Sequence, residues 1–130
     1  MIVFTALCLL HLAPAPKQDS LPLLLDQKWY HSFSIEDGRK RSTTRKPLHE
    51  RPWIYFGKEG FFEDFRGPRE HYRGSWKWDG AARTVTLNWD IGKKPLRMVM
   101  NVQQLTRDTL LLVSNDPFAS GNGYLSGRTN

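Results

Sequence analysis

The stretch "GSWKWDGAARTVTLNW", Gly74 to Trp89, holds three of the chain's five tryptophans on either side of the turn-forming "DGAAR". Before the turn, Trp76 and Trp78 alternate with Ser75 and Lys77; after it, Val85, Leu87 and Trp89 alternate with Thr84, Thr86 and Asn88. A period of two with one apolar and one polar face is the pattern of strands wetted on one side only. The link is too short for a crossover helix, so the two strands pair antiparallel.

Working outward, the same pattern recurs. Runs rich in aromatic and β-branched residues predict strands over Lys28–Ile35, Trp53–Phe56, Phe61–Arg66, Glu70–Trp78, Thr84–Trp89, Leu96–Leu105 and Thr109–Ser114, with a weaker one over Gly123–Ser126. Between them lie "GKEG" at 57–60, "RGPR" at 66–69, "DIGKKP" at 90–95 and "TRD" at 106–108, all hairpin-length links. Strict alternation places Trp29, His31, Phe33 and Ile35 on one face of the first strand, and Tyr72, Gly74, Trp76 and Trp78 on one face of the fourth. A single open sheet of this many strands would expose an apolar face and two edges. The expectation is therefore an all-β fold, a small antiparallel up-and-down β-barrel of about eight strands.

A chain of 130 residues predicts one domain. Residues 1–15, "MIVFTALCLLHLAPA", contain no Lys, Arg, Asp or Glu and end in Ala-Pro-Ala, which reads as a secretory signal with an A-x-A site; an N-terminal element docked on the domain is the alternative. The run is too short to span a bilayer. Residues 16–22 read as a linker, 23–114 as the barrel and 115–130 as a polar tail with a possible last strand. Export predicts a secreted or periplasmic protein, and removal of the leader would take with it the single cysteine, Cys8.

The formal net charge is +6, and its densest contribution is the long link "EDGRKRSTTRKPLHERP", Glu36–Pro52. It has no apolar periodicity and carries Arg39, Lys40, Arg41, Arg45 and Lys46. Long loops in compact domains are functional or disordered more often than not. As a solvated loop it needs no further role; as a functional one it would contact an anionic lipid surface or an acidic partner face. Nucleic acid ranks behind these, because the aromatics alternate into the core and no nucleic-acid motif is present.

Nothing in the chain assembles into a catalytic set. His31, His49 and His71 are far apart, no Cys/His spacing suits a metal, and no serine lies in a nucleophile elbow. Glu63 and Asp64 are adjacent on one strand and must point to opposite faces. The expectation is a protein that is not an enzyme and holds no metal.

The tryptophan of "LLLDQKWY", the long first loop, the "F-x-x-x-G-x-F" hairpin (Phe56, Gly60, Phe62), the "G-x-W" strand (Gly74, Ser75, Trp76) and the closing "L-T-x-D-T-L-x-L" hairpin (Leu105–Leu112) together resemble the lipocalin-like domains of bacterial envelope proteins. The likeness covers about Leu23–Ser114; Gln27 stands where such chains usually place the glycine of Gly-x-Trp. The resemblance implies an eight-stranded barrel, no cofactor and a binding or accessory role. Two functions are expected to compete. In one, a small apolar or amphipathic ligand, with an acidic head group favoured by the basic loop, sits against Trp29, Phe33, Tyr72, Trp76, Trp78 and Met98. In the other, the barrel is filled and the chain is an accessory subunit of an envelope complex, meeting protein partners through the basic loop. A cavity above roughly 300 Å³ favours the first.

Overall fold

The computed structural model describes residues 21–42, 45–90, 95–115 and 120–127. The predicted leader, most of the linker and parts of the C-terminal tail lie outside these residues. A short helix, α1 (Leu21–Leu24), leads into nine strands: β1 (Lys28–Glu36), β2 (Arg39–Ser42), β3 (Trp53–Phe56), β4 (Phe61–Gly67), β5 (Glu70–Asp79), β6 (Thr84–Trp89), β7 (Leu96–Leu105), β8 (Thr109–Ser114) and β9 (Gly121–Ser126). From β3 to β9 each strand pairs antiparallel with the next, β1 pairs β3, and β1 also pairs β9. That last pairing closes an eight-stranded antiparallel barrel, with β2 as one extra strand.

The Gly74–Trp89 hairpin forms as its alternation demands, with Trp76 opposite Leu87 and Trp78 opposite Val85. Trp76, Val85, Leu87 and Trp89 are buried. Gly74 is needed here because a Cβ on it would lie 1.6 Å from the Asn88 carbonyl oxygen. The last strand is longer than its sequence suggested, running from Gly121, and it is the one that seals the barrel against β1.

Two departures come from local backbone. The Glu36–Pro52 link is not all loop: Asp37 and Gly38 both take positive φ, 51° and 74°, and Glu36 faces Arg39 across them. This two-residue Asp-Gly turn folds β2 back onto the far half of β1, as such turns do. The second departure is on β1, whose pairing with β9 passes from His31↔Tyr124 to Phe33↔Gly123. Ser32 is the extra residue of a β-bulge, and beyond it the alternation is inverted. Phe33 therefore stands outside the barrel, over Gly123, where a Cβ would come within 2.1 Å of its ring; Lys40 lies 4.3 Å above that ring. A similar irregularity between Val102 and Gln104 on β7 turns Leu105 onto the core after Met100 and Val102.

The two ends of the barrel differ. At the end bearing the 57–60, 79–83 and 106–108 turns, α1 acts as a plug: Leu24 is fully buried, Leu21 and Leu25 pack on the core, and Leu25 bridges Phe56. The plug is tied down by polar contacts to its C-terminal turn. The Trp29 indole N–H donates to Leu24 O at 3.1 Å, and Gln27 Nε2 donates to Leu23 O at 2.7 Å while its Oε1 accepts a short hydrogen bond from Ser126 Oγ. Gln27, at the position of the expected glycine, thus stitches α1 to β9. From the plug, an aromatic column of Phe56, Trp76, Phe62 and Trp89 runs up the interior in edge-on and tilted contacts 5.2 to 5.5 Å apart.

Candidate functional site: a cavity at the open end

Above that column the barrel is hollow. A cavity of about 460 Å³ lies toward the opposite end, where β1 turns into β2 and where β4 meets β5, β6 meets β7 and β8 meets β9. Its floor and walls are apolar: Ile54, Phe62, Leu87, Trp89, Met98, Met100 and Leu112, with Pro52 and Trp53 at the rim. A second recess of about 490 Å³ shares Met98, Met100 and Asn122 with it and continues outward along Ser34 and Ile35. The barrel thus exceeds the roughly 300 Å³ that separates a binding pocket from packing defects.

Into this apolar space the strands aim a few polar groups. Phe62 and Asp64 share the inner face of β4, and Arg66, at the irregularity in its pairing with β5 between Phe65 and Gly67, also reaches the cavity. Asp64 is 7% exposed. Its Oδ2 accepts three hydrogen bonds, from Arg66 Nε at 3.1 Å, Arg66 Nη2 at 3.0 Å and the Trp89 indole N–H at 3.0 Å. Burial opposes the charge on Arg66, but its hydrogen bond and attraction to Asp64 outweigh that and hold the guanidinium above its ordinary value. Arg66 is half exposed, its guanidinium 5.2 Å from the Tyr72 ring, so the pair spans from the interior to the rim. Across the cavity, His31 and Ser34, brought together by the Ser32 bulge, both meet Asn122 Oδ1, at 2.9 and 3.0 Å, and lie 3.1 Å from each other. Tyr124 packs edge-on against His31 at 5.7 Å. Its phenol is pushed well above the usual tyrosine range, first by burial and then by the Asp64 carboxylate, with Arg66 pulling the other way.

Of the six wall residues expected from the sequence, the structure brings one, Met98, to the cavity. Trp29 and Trp76 are core at the plugged end, Trp76 giving its indole N–H to Gly57 O at 2.9 Å. Tyr72 and Trp78 are half-buried beside the core without lining the cavity. Phe33 is outside, for the reason given by the bulge. The five loop cations do not assemble a lid: Arg39, Lys40 and Arg41 stand exposed on β2, Arg41 is 3.8 Å from Glu36, and Arg45 and Lys46 follow in the exposed connection to β3. Among the described residues the cation that lines the cavity is Arg66, and the carboxylate is Asp64. Alternation puts Asp64 on the side of Phe62, but Arg66 sits at the β4 irregularity, and neither its place nor its pairing with Asp64 is marked in the sequence. His31 is where the sequence put it, on the inner face and hydrogen-bonded. Glu63 points outward to Arg73 and His71, opposite to Asp64, as alternation required.

No family model and no curated protein matches this chain. Among solved structures it is similar to a DUF4847 family protein from Bacteroides vulgatus, with a TM-score of 0.56 and 15% identity over 82% of this chain and 96% of that one. At that identity the likeness speaks for the fold: both chains wind the same barrel.

Proposed function

We infer that this chain is an exported, lipocalin-like binding protein that holds one small, largely apolar ligand in the open end of its barrel. The observation that carries this reading is the cavity of about 460 Å³ with Leu87, Met98, Met100 and Leu112 on its wall. An interior without a ligand role would be expected to close to native packing density, since unfilled apolar space forfeits dispersion contacts. Apolar walls supply affinity and a few polar groups fix orientation. The accessory-subunit reading anticipated a filled barrel, and the cavity weighs against that part of it. The exposed β1–β2 ribbon with Arg39, Lys40 and Arg41 is where a partner or an anionic surface would be met.

Titration with the neutral fluorophore 1-aminoanthracene tests the proposal. One saturable site is expected, lost when Met98→Trp fills the mouth while the variant keeps its unfolding midpoint. Absence of saturable binding by the native chain would overturn it.

A further inference from the structure

The polar atoms that remain without partners in the cavity narrow the ligand's chemistry. All three donors to Asp64 land on Oδ2, so Oδ1 receives no hydrogen bond among the described residues. Asn122 uses Oδ1 for His31 and Ser34, and among the described residues no acceptor takes its Nδ2. Among the described residues the Tyr124 hydroxyl has none either. Among the described residues Ser114 Oγ is the one fully enclosed side-chain polar atom without a partner. Asp64 Oδ1, Asn122 Nδ2 and Tyr124 Oη are therefore accessible, and all three residues line the same cavity.

Buried polar groups in native proteins are hydrogen-bonded, and such a set is costly to cover with an apolar ligand alone. One acceptor and two donors, all on a wall otherwise apolar, call for a head group that both donates and accepts. Charge decides which. Asp64 is already paired with Arg66 at 3.0 Å, so the pair is neutral overall. An ammonium would have to compete with Arg66 for the carboxylate. A carboxylate head would bring a second anion beside Asp64 in a space of low dielectric, where like charges are strongly disfavoured.

We propose that the ligand is a neutral amphiphile whose hydroxyl-type head donates to Asp64 Oδ1 and accepts from Tyr124 Oη or Asn122 Nδ2, with its apolar body against Met98, Met100 and Leu112. This rests on the binding role inferred above and replaces the acidic head group expected from the basic loop. At about 30 Å³ per water-sized group, the 460 Å³ cavity accommodates roughly fifteen non-hydrogen atoms.

Three probes of matched length separate the possibilities: 1-decanol, decanoate and decylammonium, titrated at neutral pH into the full chain labelled with nitrogen-15. The readout is the tryptophan indole N–H signals. That of Trp89, on the cavity wall, shifts on binding, and those of Trp29 and Trp76, which donate to backbone carbonyls near the plug, stay in place. Decanol is expected to bind about tenfold more tightly than either charged probe, and Tyr124→Phe to weaken decanol about fivefold while leaving decanoate within twofold, a hydrogen bond's typical worth. Decanoate or decylammonium binding as well as or better than decanol would overturn the neutral-head proposal and leave the binding role standing. Equal loss of all three probes in Tyr124→Phe would also overturn it, as the effect would then be one of shape. Failure of all three to move Trp89 would overturn the binding role, and this inference with it.

Discussion

Asp64 is the residue on which the open end turns. Truncating it as Asp64→Ala strands the Trp89 indole N–H and frees Arg66 to solvent, so unfolding in urea should show a loss of about 1 to 3 kcal/mol. Wild-type stability after that substitution would mean the indole finds another acceptor. Tyr124 offers a second test at this scale. Its folded-state value is raised above the unfolded one by burial and by Asp64. The stability this represents is fully present below the unfolded value of about 10 and is lost as pH climbs above it, at up to about 1.4 kcal/mol per pH unit. The urea midpoint should fall above pH 10, and Tyr124→Phe should flatten that fall; identical slopes would contradict a buried phenol. Neither role was legible in the chain. Asp64 reads as half of an Asp-Glu pair, and only the pairing of β4 with β5 and of β5 with β6, which brings the Trp89 indole across Gly74 to its carboxylate, shows what it does.

At the scale of elements, the alternation in "GSWKWDGAARTVTLNW" specified its own hairpin and most strand limits, because period two and turn chemistry are local properties. What escaped it were the bulges, which insert one residue without a sequence mark and invert everything beyond. Phe33 fell on the wrong side for that reason alone. The Asp37-Gly38 turn does carry a sequence mark, an Asp-Gly pair, within a segment otherwise dominated by charge. The bulge makes a quantitative prediction. Gly123→Ala pushes a Cβ into the Phe33 ring and should destabilise by about 1 to 3 kcal/mol as overpacking. In the double mutant with Phe33→Ala that cost should largely vanish, a non-additivity measurable by denaturant unfolding. At Gly74 the clash is with backbone instead, so Gly74→Ala should destabilise by more than about 2 kcal/mol with no side-chain change rescuing it.

The whole molecule is a barrel with one end plugged and the other hollow, and the chain assigns its residues accordingly. Three tryptophans, Trp29, Trp76 and Trp89, are buried, the last serving as both core and cavity wall. The positive charge is spent elsewhere, on a ribbon whose cations touch the surface and not the cavity. Neutralising Arg39, Lys40 and Arg41 to glutamine should change stability by less than about 1 kcal/mol, since exposed charges contribute little, and leave decanol affinity within twofold. A larger loss of affinity would bring the ribbon back as a lid. The most direct test of the barrel as a carrier is native mass spectrometry of the protein purified gently from its own cells, set against its denatured mass. One equivalent of a small neutral lipophile, released on denaturation and absent from Met98→Trp, is the expected result. A native mass equal to the bare chain in both proteins would contradict it.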